Sequence, residues 1–412
     1  MQKEKLLVPK LRFSDFNEEF ELKLFDEISD ITRLAGYEYS KYWVEDDKKE
    51  IIALRGYNIG KGKLELNKLS YISNSLSLQL KRSRLSIGDI VYPCVGSIGN
   101  AVVIEENDKY HIQQNIAKIT CRENVYPYYL VQFLISDYGL KEVYRFNASG
   151  AQPNVLVGSL RKYRIILPSL EEQQKIANFL SAIDTRTQTL DKKKALLEQY
   201  KKGVMQQIFK QEIRFKDEDG NAFPEWETLP LKKVFSRSKD KNKNDKISLV
   251  LTNSATQGIV SQNAYFDKDI ANSSNLSGYY IVKTDDFIYN PRISQSAPVG
   301  PLNRNKLSTG VMSPLYTVLN HLRGNIDFLE IYFKSSHWHR YMKSIANYGA
   351  RHDRMNVTTT DFENMPIPFP CIEEQQKIAQ FLMAIDTQIN TVAETLEATK
   401  TYKTGLLQQM FV

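Results

Sequence analysis

The chain has 412 residues, of which 42% are hydrophobic and 25% charged, and its formal net charge is +7. This composition is that of an ordinary globular protein and excludes a fibrous or disordered one, and the length leaves room for roughly two to four domains. No apolar run is long enough for a transmembrane helix, and the residues after Met1 do not resemble a signal peptide. We therefore predict a soluble, cytoplasmic protein whose basic character permits, without requiring, a polyanionic partner.

The three cysteines, Cys94, Cys121 and Cys371, are far apart and form no Cys-x-x-Cys motif. An odd number of dispersed cysteines argues against a disulfide framework and against a structural zinc site. The sequence therefore predicts a reducing compartment and buried thiols.

Residues 1–167 contain short apolar runs broken by Gly, Pro, Asn and Ser, a texture that predicts the strands of an α+β domain. Strands are predicted at 90–92, 101–104 and 164–167. The glycine-rich stretch 56–62 is one residue short of a phosphate-binding loop, and 96–99 lacks the third glycine of a dinucleotide fingerprint. The segment instead carries a small basic cluster at 81–84.

Residues 168–213 show a heptad pattern, with apolar side chains every seven residues from Ile176 to Val204. Ser169 and Glu172 form a predicted capping box, and Pro168 stops any helix that would run in from before it. A helix from about 170 to 209 would be roughly 60 Å long. This predicts a coiled-coil helix, in which polar seam positions such as Lys201 set the register at some cost in stability.

Residues 214–368 predict a second α+β domain, with strands at 279–282 and 287–289. Asn290-Pro291-Arg292 lacks the second proline and the aromatic residue of an amino-methyltransferase loop. The stretch 232–246 holds seven basic and two acidic residues and predicts an exposed loop, and 334–354 holds five basic residues and one acidic residue. Such mixtures are typical of DNA-reading surfaces, and a merely solvated charged face is the alternative.

Three histidines, His337, His339 and His352, suggest a metal hypothesis, because a His-x-His pair with a third imidazole could hold zinc. Their spacing matches no familiar zinc site, and the basic residues around them would repel a cation. We therefore predict no metal site.

Residues 369–412 repeat the first helix: PSLEEQQKIANFLSAIDT at 168–185 returns as PCIEEQQKIAQFLMAIDT at 370–387, an offset of 202 residues. Of the 42 aligned positions from 168 to 209, 21 are identical, so the chain is predicted to be a tandem duplication. Gly203 and Gly405 recur inside the helices, and a close helix neighbour or simple inheritance explains them equally well. The predicted coiled-coil seam consists of Ile176, Leu180, Ile183, Leu190, Leu197, Val204, Ile378, Leu382, Ile385, Ile389, Val392 and Leu406.

The two intervening domains barely align, although the helices share half of their residues. Similar helices indicate one kind of partner bound twice, and dissimilar domains indicate two different ligands; drift of an unconstrained surface is the alternative. The candidate DNA-binding side chains are Lys81, Arg82, Arg84, Gln152, Asn154, Lys241, Lys243, Arg292, Arg304, Lys306, Arg340, Lys343, Arg351 and Arg354.

The order of variable domain, EEQQKIA helix, variable domain and EEQQKIA helix resembles the specificity subunits of Type I restriction-modification systems over nearly the whole chain. Its most specific element is Pro-x-x-Glu-Glu-Gln-Gln-Lys-Ile at 168–176 and 370–378. The resemblance implies two target recognition domains, 1–167 and 214–368, that each read one half of a bipartite DNA sequence. The repeated helices, 168–213 and 369–412, would pack antiparallel with pseudo-two-fold symmetry and fix the spacer between the half-sites.

The resemblance also implies the partners: double-stranded DNA, two modification (methyltransferase) subunits and two restriction (translocase and nuclease) subunits, with no membrane. S-adenosylmethionine, ATP and magnesium would bind to those subunits, and this chain would bind no cofactor and catalyse nothing. Two rivals stay open. A coiled-coil interaction scaffold without DNA specificity would bind its partners with little salt dependence, and an unrecognised nuclease would cleave DNA with magnesium.

Overall fold

The computed structural model describes residues 7–146, 154–262, 276–347 and 353–411. The chain divides into two compact units, one formed by Met1–Lys192 with Ala393–Val412 and the other by Lys193–Val392. Each unit therefore holds one of the predicted α+β domains and a part of each repeated helix. No helix in the described ranges has both the length and the apolar character needed to cross a membrane.

The first half of the chain alternates short strands and helices before one long helix. Its strands are β1 (Glu21–Leu24), β2 (Ser29–Arg33), β3 (Ile51–Leu54), β4 (Tyr71–Ile72), β5 (Ile90–Pro93), β6 (Val102–Val103), β7 (Tyr110–Ile112), β8 (Ile116–Cys121) and β9 (Arg164–Leu167). Its helices are α1 (Phe25–Ile28), α2 (Gly36–Tyr42), α3 (Asn74–Gln79), α4 (Pro127–Leu134), α5 (Asp137–Phe146), α6 (Val157–Leu160) and α7 (Leu170–Phe209).

The second half has the same plan. Its strands are β10 (Glu227–Pro230), β11 (Phe235–Ser238), β12 (Leu251–Ser254), β13 (Gly258–Ser261), β14 (Tyr280–Val282), β15 (Phe287–Tyr289), β16 (Leu302–Arg304), β17 (Gly310–Met312), β18 (Thr317–His321) and β19 (Pro366–Phe369). Its described helices are α8 (Leu231–Val234), α9 (Ile326–Lys334), α10 (His339–Ile345), α11 (Thr359–Glu363) and α12 (Ile372–Met410).

The predicted strands at 90–92, 101–104, 164–167, 279–282 and 287–289 coincide with β5, β6, β9, β14 and β15. β5 and β15 are buried along their whole length because alternate side chains of each strand pack into core clusters on its two faces. The predicted exposed loop at 232–246 is wrong for its first half. Val234 and Phe235 are buried in the core of the second unit, so this half belongs to α8 and β11.

The two domains share their sheet topology, which confirms the tandem repeat. The four-stranded sheet runs β2-β8-β5-β6 in the first domain and β11-β18-β15-β16 in the second. The neighbouring strands in both sheets are antiparallel. A separate antiparallel pair, β1-β9 or β10-β19, leads into each long helix. The domains differ in the remaining strands, which form one three-stranded sheet in the first domain and two separate pairs in the second.

Both long helices are continuous, with 40 residues in α7 and 39 in α12. Only half of the predicted capping box at the start of α7 forms: Glu172 N–H donates to Ser169 Oγ at 3.4 Å. The Glu172 carboxylate does not reach back to the start of the helix. It accepts hydrogen bonds from Arg12 Nε and Nη2 at 2.8 and 2.7 Å, so an ion pair takes the place of the second half of the box.

The Arg12–Glu172 pair has a counterpart in the second unit, displaced by 202 residues along the chain. Arg214 Nε and Nη2 donate to the two carboxylate oxygens of Glu374, both at 3.0 Å. The side chains of Glu172 and Glu374 are only 1% and 0% exposed. In each unit, therefore, an arginine that precedes the first strand of the domain pairs with a buried carboxylate on the first turn of its long helix.

We expect Arg12→Met to destabilise the first unit by about 3 kcal/mol, because loss of one partner leaves the other charge buried and unpaired. The matched Arg214→Met change should destabilise the second unit similarly. Denaturant unfolding followed by amide hydrogen exchange would assign each loss to its unit. Lys175→Met is the control, because its pair with Asp15 is exposed and should contribute little. Equal stability of Arg12→Met and wild type would contradict the role given to the pair.

Within each unit the two helix segments run antiparallel. In the first unit, Arg12 bonds Glu172 near the start of α7, and the adjacent Leu11 N–H bonds the carbonyl of Gln409 near the end of α12. Farther along α7, Asp184 accepts two hydrogen bonds from Lys403, which lies earlier in α12, at 2.6 and 2.8 Å. The second unit has the matching pair: Lys201 donates to Asp386 at 2.5 and 2.7 Å.

The predicted coiled-coil seam is buried or half-buried at all twelve positions, but helix packing alone does not account for its burial. Ile176, Leu180 and Ile183 belong to one core cluster with the first domain's strands and helices. Ile378, Leu382, Ile385 and Ile389 do the same in the second unit. The first turns of each helix therefore anchor a domain as well as a neighbouring helix.

Gly203 and Gly405 have no described atom within 4 Å of the position that a Cβ would occupy. A close helix neighbour within the described chain is therefore not the reason for these glycines. Of the two explanations that the sequence left open, inheritance from the duplicated ancestor remains.

Candidate nucleic-acid interface

In the first unit, the predicted basic cluster lies on a short 3₁₀ turn after α3. Lys81 and Arg82 are exposed, and Arg82 Nη2 donates to Thr32 Oγ1 at 3.3 Å. Arg84 is instead held by Asp108 at 2.9 Å and by Asn74 Oδ1 at 2.9 Å. Two of the three cations are thus available to a ligand, whereas Arg84 ties together neighbouring loops.

Asn154 is exposed and forms an antiparallel β-bridge with Val95, just beyond the end of β5. Val95 immediately precedes the stretch 96–99, which sequence analysis excluded as a nucleotide motif. Gln152, the other candidate in this part of the first domain, lies outside the described residues.

In the second unit, Lys241 and Lys243 are exposed in the loop that follows β11. Arg340 and Lys343 are exposed on α10. Trp338, two residues before Arg340, is not exposed. It is buried in the core, and its Nε1 donates to the Phe333 carbonyl at 3.0 Å. The cations of this stretch lie on the surface, and Trp338 supports it from within.

Arg304 is built into the fold of the second domain. It lies in β16, its side chain is 13% exposed, and its guanidinium contacts Asp285 and Asp327 at 2.6 Å. Lys306 pairs with Glu330 at 2.9 Å. Burial would raise the pKa of Glu330, but the ammonium groups of Lys334 and Lys306 outweigh it and hold the pKa below its usual value. The sequence predicts Arg304 and Lys306 as DNA-binding side chains, and the structure instead shows both in an ion-pair network.

Arg292 and Arg354 face each other across an antiparallel β-bridge at the edge of a cleft of about 370 Å³. Arg292 is exposed and Arg354 is half-buried. The third candidate from this region, Arg351, lies outside the described residues.

The histidine and cysteine side chains do not converge on a metal site in the described ranges, where no group of three His, Cys, Asp or Glu could hold an ion. Burial lowers the pKa of the imidazoles of His337 and His339, and His352 lies outside those ranges. Burial raises the pKa of Cys94 to about 11 and that of Cys121 to about 12, so both thiols stay protonated. The predicted absence of a cofactor stays a prediction.

A family model described as "Type I restriction modification DNA specificity domain" matches residues 27–199 and, a second time, residues 225–399. These two ranges cover well over half of the chain. The chain belongs to this family. The resemblance and the specificity-subunit function predicted from the sequence are thereby confirmed, and one copy of the specificity domain covers most of each α+β domain.

Specificity subunits are also the relatives that the chain matches along its length. It is 28% identical over 353 residues to a putative type I restriction enzyme MjaX specificity subunit of Methanocaldococcus jannaschii, covering 80% of this chain and 79% of that protein. It is 27% identical over 149 residues to the type I restriction enzyme EcoBI specificity subunit of Escherichia coli, covering 36% and 31%.

The fold is that of solved specificity subunits. The S subunit of the type I restriction-modification system from M. genitalium covers 98% of this chain and 99% of its own, with a TM-score of 0.56 at 12% identity. A chain from a structural study of type I R-M complex assembly and conformational transition covers 95% of this chain and 97% of its own, with a TM-score of 0.56 at 17% identity. At these identities the likeness is evidence of fold only.

Several residues that shape this specificity subunit were not found by sequence reasoning. Arg12 and Arg214 lie in Leu-Arg-Phe and Ile-Arg-Phe, which are separated by the same 202 residues as the helices, and that offset would have revealed them. Asp184 and Asp386 are identical in the two helix repeats, but they were not recognised as partners for Lys403 and Lys201. Asn253, a buried side chain whose Nδ2 donates to the carbonyls of Ile288 and Pro301, had no sequence signal.

Proposed function

We propose that each unit of this specificity subunit reads one half of a bipartite DNA target. This proposal rests on one observation: the two domains share a fold but differ in the side chains at a matching surface position. The domains have the same four-stranded sheet order and the same arginine–glutamate anchor, 202 residues apart. They differ at the matching bridge beyond the central strand, which is Val95–Asn154 in one and Arg292–Arg354 in the other. Two domains with one fold and different surface side chains are expected to recognise two different half-sites.

The chemistry of reading divides between two kinds of side chain. Exposed cations such as Lys81, Lys241 and Arg340 hold phosphates, which supplies affinity that falls as salt rises. Polar groups fixed by the fold select base edges. Arg84, Arg304 and Lys306 already have carboxylate partners, so they contribute chiefly to the domains that carry the readers.

The outer faces of the long helices are equivalent docking surfaces for two modification subunits. Tyr200 and Tyr402, which match across the repeat, are 52% and 57% exposed, and each lies one turn before the open position at Gly203 or Gly405. Two restriction subunits complete the complex. S-adenosylmethionine, ATP and magnesium bind to those partners, the chain itself is not catalytic, and the complex works on DNA in the cytoplasm.

The test is the methylome of a methylation-free host that expresses this chain with its modification subunit, read by single-molecule sequencing. We expect one bipartite motif with a modified adenine in each half, and no motif when this chain is omitted. The complex should be isolated from the same cells as a control for assembly. A stable complex that leaves the genome unmethylated, or that methylates without sequence preference, would contradict the proposal.

A further inference from the structure

The bridge between Arg292 and Arg354 brings two cations close together in the second unit. Ile293 N–H donates to the Asp353 carbonyl at 3.0 Å, and Met355 N–H donates to the Pro291 carbonyl at 2.9 Å. These bonds flank the arginines, so the two arginines form the non-hydrogen-bonded type of antiparallel pair. In such a pair the Cα atoms are only about 4.5 Å apart and both side chains leave the same face.

Like charges directly opposite each other destabilise a β-pair, and little near this pair offsets that cost. Asp353 Oδ2 lies 3.8 Å from Arg292 Nε, but both side chains are more than half exposed. Among the described residues, no carboxylate lies within 4.0 Å of the Arg354 guanidinium. The residues that line the adjoining cleft include these two arginines and no acid. The arrangement therefore suits a ligand that presents hydrogen-bond acceptors.

The floor of the cleft is a fixed network of amides. Asn253 is 4% exposed, and its Nδ2 donates to the carbonyls of Ile288 and Pro301 at 2.7 and 3.2 Å. Asn303 Nδ2 donates to Asn253 Oδ1 at 2.8 Å. Asn290 links this floor to the bridge, because its Nδ2 donates to the Asn253 carbonyl and its Oδ1 accepts from Arg292 N–H. The backbone of Arg292 is thus held in place from below.

We propose that Arg292 and Arg354 read guanine in the half-site bound by the second unit. The assignment rests on the proposed function and names the base chemistry that this unit selects. Guanine presents two acceptors, O6 and N7, side by side in the major groove, and the guanidinium fork matches them. A phosphate requires only a cation in reach, whereas base reading requires the fixed backbone that the bridge and the amide floor provide.

The first domain has different chemistry at the matching place. Val95 follows Tyr92 by three residues at the end of β5, just as Arg292 follows Tyr289 at the end of β15, and Val95 bridges to Asn154. No guanidinium stands at this bridge. The guanine preference therefore belongs to the second half-site, and the first half-site serves as an internal reference.

The experiment uses the full chain in complex with its modification subunits and a DNA library randomised over both half-sites. Arg354→Gln and Arg292→Gln are compared with wild type and with Arg323→Gln, which removes an exposed arginine of the same unit that does not line the cleft. We expect wild type to prefer guanine about 5- to 150-fold at one position or two adjacent positions. Each cleft variant should lose that preference at its position, with the first half-site and the Arg323→Gln profile unchanged.

Two further measurements separate the outcomes. Arg354→Lys keeps the charge without the fork and should also lose the preference, while its melting temperature and the first half-site report on folding. A uniform loss of affinity across all sequences with a shallower salt dependence would identify a phosphate contact and overturn the assignment. An unchanged profile in the cleft variants would overturn it as well. A wild-type complex without preference in either half-site would instead overturn the proposed function.

Discussion

A fragment that carries only the first repeat, residues 1–212, is expected to form a homodimer that directs methylation to an inverted repeat of the first half-site. In the whole chain, the first unit is completed by the last turns of α12, which bring Lys403 to Asp184 and the ring of Phe411 to within 5.5 Å of Tyr129. The residues 202 positions earlier, Lys201 and Phe209, make the matching contacts in the second unit. One repeat therefore carries both sides of the contact.

In a homodimer, the end of each fragment's α7 would take the place that the end of α12 has in the whole chain. The contacts would then be the same except for small changes in side-chain size. Each copy would supply Val204, Ile208 and Phe209 where the whole chain supplies Leu406, Met410 and Phe411, all of which are buried. Substitutions between apolar side chains of similar volume cost little in a packed core. Two identical readers related by a two-fold axis match two identical half-sites in inverted orientation.

Light scattering gives the mass of the fragment, and sequencing of DNA methylated by the fragment with its modification subunit gives its target. Phe209→Asp should abolish the dimer, because that ring would be buried in the partner copy's core. Lys201→Asp should weaken the dimer, and adding Asp184→Lys should restore it by reversing the ion pair. A fragment that stays monomeric at tens of micromolar, or that still reads the asymmetric target of the whole chain, would show that the exchange does not occur.

The sequence predicts the long helices well because their determinants are local or repeated. Heptad spacing, a proline at each entry and identical residues at an offset of 202 all indicate the same elements, and α7 begins and ends where the pattern does. The strands are predicted where short apolar runs are fully buried, as in β5 and β15. The loop predicted at 232–246 fails because a charge count gives little weight to Val234 and Phe235, whose burial fixes α8 and β11.

The site is predicted less well, because a cation's role depends on carboxylates that the fold brings to it. Arg304 and Arg354 look alike in the sequence. The first contacts Asp285 and Asp327, which lie 19 and 23 residues away, whereas the second has no carboxylate within 4.0 Å in the described chain. Arg12 is 160 residues from Glu172. Nothing local distinguishes an arginine that completes a core from one that faces a ligand.

Inserting one heptad into both long helices, after Lys192 and after Val392, is expected to lengthen the preferred spacer by about three base pairs and leave both half-sites unchanged. Seven residues add roughly 10.5 Å of helix, and B-DNA rises about 3.4 Å per base pair. The insertions lie between the two ion pairs. Asp184 and Lys201 are 17 residues apart in α7, as are Asp386 and Lys403 in α12, so equal insertions preserve both Lys201–Asp386 and Lys403–Asp184.

The same seven residues inserted into α7 alone are the matched control. The separation in α7 would then be seven residues longer than in α12, and no antiparallel register could keep both ion pairs. We expect this variant to lose stability and sequence-specific binding, whereas the double insertion keeps both. Selection from a library with fixed half-sites and spacers of varied length measures the outcome. An unchanged spacer in the double-insertion variant would show that the helices do not set it.

The affinity of the double-insertion variant carries a second expectation. A heptad leaves the direction of the helix seam nearly unchanged, with a drift of about 20°, whereas three base pairs turn the half-site by about 100° around the DNA axis. The double-insertion variant should therefore bind its longer target with lower affinity than wild type binds the wild-type target. The DNA would have to change its twist for both half-sites to face their recognition domains. Three heptads add about 31 Å, close to one turn of B-DNA. If helix length sets spacing and DNA twist sets phase, that variant should recover most of the affinity that one heptad loses.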